Sequence, residues 1–514
     1  MQAIELSLFN HRIQAICEEM GAVLQDSAIS PNIRDRLDYS CAIFDPAGQL
    51  CAQAAHIPVH LGSMAYAMAG IVAAIDWREG DMVILNDPYL GGTHLPDVTL
   101  IAPLFAGQTL CGFIANRAHH ADIGCPTPGS MPMATSLEQE GLILPPRLLL
   151  RGSRLCPDSD DWLFGQLHNP AMARADFGAQ ISANRCGLQR LQAQIEVLGV
   201  GQYAEALADL NDYAERLARE FLRDLPGGHY RFQDLMDDDG FEARDIPIRV
   251  CLDIDNTGIT VDFSGSAPQV EGNINCPLSV TAAAVYYVFH CLMPAHTPAC
   301  AGSFRPIHIH APEGCLVNAR RPAAVAAGNV ETSSRIVDCL LGALAGAIPD
   351  RIPAASHGSM NNIAMGAEDW DYYETLGGGS GAGPDAPGLD AIQTHMTNTL
   401  NTPVEVLEMQ YPLRITRYAI REDSGGAGRF RGGNGLIREY AFLQATRVTL
   451  LTERRRHRPW GLQGGSTGQA GENHLNSQPL PGKCHFEASP GDRLRLDTAG
   501  GGGWGQAAPS DERQ

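Results

Sequence analysis

Apolar residues Ile13, Ile16, Met20, Val23 and Leu24 recur at spacings of three and four, which predicts an amphipathic helix from Ile13 onward within 4–27. Shorter apolar runs follow. Segment 40–51 reads as strand, turn, strand, with Pro46 and Gly48 in its connection. A strand at 82–85 runs into Asn86-Asp87-Pro88, and 98–104 and 112–115 are two further strands. From 177 to 225 the period turns helical, through Ile181, Leu188, Leu191, Ile195 and Leu198, with a break at Gly199 and Gly201. Segments 246–252 and 259–263, separated by Asn256-Thr257-Gly258, predict a hairpin. Buried helices are expected at 280–292 and 334–347, and strands at 436–443 and 447–451.

No repeat at a solenoid period is present. The expected class is α+β, with mixed, multi-layer N-terminal and central regions and a Gly-rich, β-rich C-terminal region. The corresponding divisions are 1–175, 176–430 and 431–514.

Composition narrows the function. With 44% apolar and 18% charged residues, the 514-residue chain is no disordered polymer. Its net charge of −21 is the reverse of a phosphate-backbone binder's. One basic run, Arg454-Arg455-Arg456-His457-Arg458, reads as a solvated or interface turn. The 14 cysteines form no CxxC pair, so neither a disulfide framework nor a zinc ribbon is expected, and the thiols are read as reduced. Residues 1–6 lack a basic and then apolar leader pattern. The apolar stretch 323–347 is interrupted by Asn329, Glu331, Arg335 and Asp338, so no spanning helix is expected. The reading is a cytoplasmic chain with neither nucleic acid nor membrane as partner. Gly-rich stretches at 377–388, 425–435 and 500–505 contain no GxxxxGK[ST] and read as tight turns or close backbone approach rather than a nucleotide site.

Candidate chemistry concentrates in Asn86-Asp87-Pro88-Tyr89-Leu90-Gly91-Gly92-Thr93-His94-Leu95-Pro96-Asp97, followed by Asn116-Arg117-Ala118-His119-His120-Ala121-Asp122. Imidazole and carboxylate are good ligands for Zn, Mn or Fe, and two His with one carboxylate leave positions open, as a catalytic metal requires. His94 and Asp97 share a turn-rich loop, and His119 or His120 completes the set. His56 and His60 read as packed core or surface histidines, with the same pocket as their alternative place. Glu140 is a candidate general base, set against the commoner solvated glutamate. No GxSxG elbow occurs, and Cys125 near Asp122 has no nucleophile signature around it.

These motifs, together with Asp38-Tyr39-Ser40-Cys41-Ala42-Ile43-Phe44-Asp45, His56-Ile57-Pro58-Val59-His60-Leu61-Gly62-Ser63-Met64, Asp262-Phe263-Ser264-Gly265-Ser266, Gly328-Asn329-Val330-Glu331-Thr332-Ser333 and Glu453-Arg454-Arg455-Arg456 with Pro459-Trp460-Gly461-Leu462, carry a resemblance over nearly the whole chain. It resembles the hydantoinase B/oxoprolinase family. That family includes the B-type chains of N-methylhydantoinases, the second half of ATP-dependent 5-oxoprolinases and the large subunits of acetone-type carboxylases.

The resemblance implies a metal on His94, Asp97 and His119, with Asp38 as a further ligand or pocket acid. Cys125 and Trp504 stand where the family usually has glycine and tyrosine. It also implies a hetero-oligomer in which a hydantoinase A-like ATPase subunit uses ATP to phosphorylate the carbonyl of a small cyclic amide. This chain would then open the ring with metal-activated water, and His120 or Asp122 would carry a proton to the leaving nitrogen. Two alternatives stand beside this: an ATP-dependent ketone carboxylase subunit, and a non-catalytic scaffold for the ATPase.

Overall fold

Helix α1 (Ala3–Ser27) begins ten residues before its periodic part, burying Leu6 and Phe9 along with Ile13, Ile16, Met20 and Leu24 and leaving Ile4 and Leu8 in solvent. The computed structural model describes residues 2–54 and 56–507, so 508–514 of the C-terminal region lie outside the described residues, as does Met1 of the N-terminal segment. After the single turn α2 (Pro31–Arg34), β1 (Tyr39–Phe44) and β2 (Leu50–Gln53) form the expected antiparallel hairpin. Helix α3 (Pro58–Ala73) is not evident from the pattern, because Gly62, Ser63, Ala65, Ala67, Ala69 and Gly70 dilute its apolar period.

Strands β3 (Met82–Leu85), β4 (Asp97–Ala106), β5 (Thr109–His119), β6 (Arg147–Arg151) and β7 (Arg154–Leu155) join β1 and β2 in a seven-stranded antiparallel sheet, ordered β2-β1-β5-β4-β3-β6-β7. Successive strand residues face opposite sides, and both sides of this sheet are covered. Cys41, Ile43, Leu100 and Ile114 pack with α1 and α5 (Pro170–Leu198). Ala42, Phe44, Ile101 and Phe113 pack with α3 and α7 (Leu278–Leu292). That two-sided burial explains the strands' nearly continuous apolar character.

Between these lie the short α4 (Ser159–Trp162) and the amphipathic α6 (Val200–Arg223), which follows the expected break at Gly199. Strands β8 (Gly228–Asp238), β9 (Arg244–Ile254), β10 (Ile259–Asp262) and, after the turn α8 (Ala301–Phe304), β11 (Ile307–His310) form a second sheet, ordered β11-β10-β9-β8. The 246–263 hairpin is present within it. A π-turn (Gly328–Thr332) leads into α9 (Ser333–Leu344).

The remaining chain builds two antiparallel sheets. One is β13-β12-β16-β19, from Asp371–Glu374, Asn362–Gly366, Thr446–Leu451 and Lys483–Ala488. The other is β14-β15-β20-β17-β18, from Leu413–Arg421 (preceded by α10, Val404–Gln410), Gly435–Phe442, Arg493–Asp497, Glu472–Leu475 and Gln478–Leu480. Both sheets combine strands from either side of residue 431. The architecture is α+β.

The three Gly-rich stretches come together. Gly379 N–H donates to Ala499 O, Gly433 N–H to Ser380 O, Gly426 N–H to Gly501 O and Gly501 N–H to Gly433 O. A Cβ on Gly433 would come 1.9 Å from Leu389 O, and one on Gly501 equally close to Ser380 O. Close backbone approach is therefore why these positions are glycine.

The basic run corrects the solvated reading. Arg454 is buried between Asp234 and Asp338, and Arg455 donates to Asn361 Oδ1 and Asn473 Oδ1; only Arg456 and His457 meet Asp245 at the surface. Asp237 accepts from the backbone N–H groups of Arg455, Arg456 and His457. The neutralising carboxylates come from β8 and α9, more than a hundred residues away, where local sequence cannot show them. Among the described residues all fourteen cysteines are unpaired, and no helix is long and apolar enough to cross a membrane.

Candidate metal centre

The centre is assembled by strand register. Asp97, the first residue of β4, pairs directly with His119, the last of β5. Alternation sends Asp97, Thr99, Arg117 and His119 to the α3 side, where Arg117 donates to Ser63 Oγ and Thr99 Oγ1. Asn116 and His120 go to the α5 side, where both bond to Gln180 and His120 stacks on Phe177. Register thus separates the two neighbouring histidines: His119 faces Asp97, and His120 faces away.

His94 comes from the preceding loop, which Asn86 holds in shape. Its side chain donates to Leu95 O and Leu142 O and accepts from Leu144 N–H. Gly92 is required here, since a Cβ would stand 2.2 Å from Asn86 O.

Around the buried Asp97 carboxylate, His94 Nε2 lies 3.1 Å from Oδ1, His119 Nδ1 3.2 Å from Oδ1, and His60 Nε2 3.1 Å from Oδ2. Thr93 Oγ1 donates to Oδ2 at 2.6 Å and Asn329 Nδ2 at 3.3 Å. Burial alone would raise the Asp97 carboxyl; the neighbouring His94 and His60 rings and the bonds from His119 and His60 outweigh it and hold the group well below the usual carboxylate range. Burial pushes the His119 imidazole down, against the pull of Asp97 and Asp38.

The donor set fits a divalent metal. One ligand atom each from His94, Asp97 and His119 lies within 4.8 Å of the others. His94 Nδ1 meets Ala326 O at 3.2 Å, so Nδ1 carries the proton and Nε2 presents a lone pair. Neither His94 Nε2 nor His119 Nε2 makes a hydrogen bond, although both are fully buried. Buried polar nitrogens are rarely left without partners, and a cation satisfies such lone pairs.

The other sequence candidates separate clearly. Asp38 is adjacent, its Oδ1 4.0 Å from His60 Nε2 and its backbone O accepting from His119 N–H. Asp122 is elsewhere: it accepts from Gly124 N–H and Asn169 N–H and lies beside His168. Glu140 is buried rather than solvated, and accepts from Val325 and Ala326 N–H. Burial pushes the Cys125 thiol up to about 11, which makes it a poor thiolate. Trp504 is buried and donates to Ile352 O.

His60, read as a core or surface histidine, belongs to the centre. Thr93, Asn329 and Tyr373, whose ring stacks on His119 at 4.6 Å, are not singled out by the sequence. The Gly328-Asn329-Val330-Glu331 stretch is the available signal for Asn329, and its π-turn is of a kind frequent at functional sites.

A cavity of about 790 Å³ lies between α1, α6, α7 and the start of α3, and none of the residues of the centre lines it. Pro58 and Gly62 line it, while His60 on the same helical turn reaches Asp97. His56, Tyr286, Tyr287 and His290 line it too, and among the described residues no Asp or Glu does.

The sequence profile of the Hydantoinase B/oxoprolinase family matches residues 2–507. The chain is 37% identical to 5-oxoprolinase 1 of Arabidopsis thaliana, over 98% of this chain but only 42% of that protein. It is 31% identical to a Pseudomonas sp. protein whose provisional name makes it one of the subunits of a D-/L-hydantoinase, over 96% of this chain and 88% of the other. Among solved structures, the ATP-dependent caprolactamase from Pseudomonas jessenii is similar at a TM-score of 0.92 and 26% identity, covering 98% of this chain and 91% of that one. The chain belongs to the hydantoinase B/oxoprolinase family.

Proposed function

We propose that this chain is the hydrolytic subunit of an ATP-dependent cyclic amidase. It opens a small cyclic amide of the hydantoin or 5-oxoproline type after a partner ATPase subunit has activated the ring carbonyl. The observation that carries the reading is the buried His94–Asp97–His119 set, in which two imidazole nitrogens make no hydrogen bond, in a chain of this family. A divalent cation held there supplies Lewis-acid polarisation of a carbonyl and an acidified water.

The chain's own residues divide the remaining work. His94, Asp97 and His119 bind, while Thr93 and Asn329 fix the Asp97 carboxylate from its Oδ2 side. His60, within 3.1 Å of Asp97 and with Asp38 beside it, is assigned the proton transfer between attacking water and departing nitrogen. We give that role to His60 rather than to His120 or Asp122, which lie away from Asp97. All four central side chains are buried, so bulk water does not reach them.

Three observations support a partner. A relative is named as one subunit of an enzyme, the 5-oxoprolinase is more than twice as long as the stretch matched, and the Gly-rich segments pair with one another rather than forming a phosphate loop.

The test is metal content and ATP-dependent ring opening, with the ATPase subunit added, for the wild type and for Asp97→Ala. The expected outcome is one metal per wild-type chain and the loss of both metal and turnover in the folded variant. A metal-free but active wild type would refute the reading in favour of chemistry elsewhere. A metal-free wild type that supports ATP hydrolysis but no ring opening would point to a scaffold.

A further inference from the structure

Glu140 follows the short turn Leu137–Gln139 and is wholly buried. Its Oε1 accepts two hydrogen bonds of 2.8 Å, from the backbone N–H groups of Val325 and Ala326, and its Oε2 has no partner. Burial pushes this carboxyl up to about 8, against the two backbone bonds that favour the anion. A buried acid with no compensating cation costs stability, so its retention calls for a local reason.

That reason lies one atom group further on. Ala326, whose N–H Glu140 holds, presents its own carbonyl to His94 Nδ1. A carbonyl only accepts, so this contact keeps the His94 proton on Nδ1 and aims the Nε2 lone pair at Asp97 and His119. Three residues later Asn329 donates to Asp97 Oδ2. The same segment is gripped from its other side by Asn275, which donates to Ala324 O and whose carbonyl leaves no room for a Cβ on Gly328.

We propose that Glu140 is a positioning residue for the metal centre: a two-pronged acceptor that locks the 325–326 backbone and so fixes the tautomer and aim of His94. This rests on the reading that His94, Asp97 and His119 hold a divalent cation. What Glu140 contributes is reach and acceptor geometry. Whether the carboxyl is ionised is incidental.

The experiment is Co(II) affinity of the full chain, by competition with a chromogenic chelator, for Glu140→Gln, Glu140→Asp and Glu140→Ala. Gln keeps a carbonyl oxygen at the same reach and should bind within about threefold of wild type. Asp keeps the carboxyl but is one methylene short, and both it and Ala should lose about 10–100-fold, the usual cost of removing an outer support of a ligand. The Co(II) d–d bands should shift with Asp and Ala but not with Gln.

Asp176→Ala is the control, because Asp176 also accepts from two backbone N–H groups, those of Ile29 and Ser30, and belongs to α5, on the opposite side of the sheet from the centre. It should lower Tm and leave Co(II) affinity unchanged. If Glu140→Ala does not fold, Glu140→Asp decides. Wild-type affinity in the Asp variant, or a Gln variant as weak as Asp, would overturn the assignment. A wild type that binds no Co(II) would instead sink the metal reading on which it stands.

Discussion

A histidine becomes useful through the atom that is left over once its other contacts are made. His60 has Nε2 on Asp97 and Nδ1 3.4 Å from Ser40 Oγ, which places a second proton-carrying ring beside the candidate ligands. His60→Gln should therefore retain the metal and lose about 10²–10⁴ in kcat, the span typical of a positioned acid–base group. Parallel metal analysis and steady-state kinetics check this. Loss of metal in that variant would instead make His60 a ligand.

Glu331, next to Asn329 on the π-turn, gives a pH prediction. Its Oε1 accepts from Asn362 Nδ2 and Met360 N–H, and burial pushes its carboxyl from 4.5 up to about 8. Between those values the folded chain holds a proton that the unfolded chain has released. Its contribution to stability is therefore complete below about pH 4.5 and falls away as pH rises toward 8. Glu331→Gln should flatten that part of the urea-unfolding free energy against pH, and an unchanged slope would refute the assignment.

At the scale of elements, the centre depends on the alternation of β5. His119→Phe should abolish metal binding. His120→Phe should keep it while lowering Tm, because that ring packs on Phe177 and bonds Gln180 on the opposite side of the sheet. Equal loss of metal in both would mean that the register Asp97↔His119 is wrong.

Alternation also explains what the chain's pattern discloses and what it hides. The 82–85 strand, the 40–51 and 246–263 hairpins and the long helices carry strong periods or turn chemistry, and all are present. His94 and Asp97 are legible because one short loop carries both. His60 is not, because α3, dense in small residues, shows no clear period, and only tertiary packing brings its first turn to β4. Tyr373 is hidden for the same reason: β13 lies more than 250 residues beyond His119, and nothing local links them.

At the scale of the whole molecule, charge is settled over long distances. Arg454 lies between Asp234 of β8 and Asp338 of α9, tying the second sheet to the C-terminal ones. Arg454→Met should cost about 3–5 kcal/mol, the usual penalty for leaving buried charge uncompensated. Chemical denaturation measures this directly, and a loss under about 1 kcal/mol would mean that the pair is screened as surface pairs are.

The glycine layer carries a consequence for how the molecule comes into being. Its backbone bonds join three segments, 377–388, 425–435 and 500–505, so the layer is complete only once the last has been synthesised. A nascent chain halted before residue 499 can pair the first two with each other but leaves the Gly379 and Gly426 amides without their acceptors, Ala499 O and Gly501 O, a state prone to wrong pairing. Closure must then span loops of tens of residues at once, which slows it. Closure of the glycine layer is thereby a late step in assembly, following synthesis of its third segment.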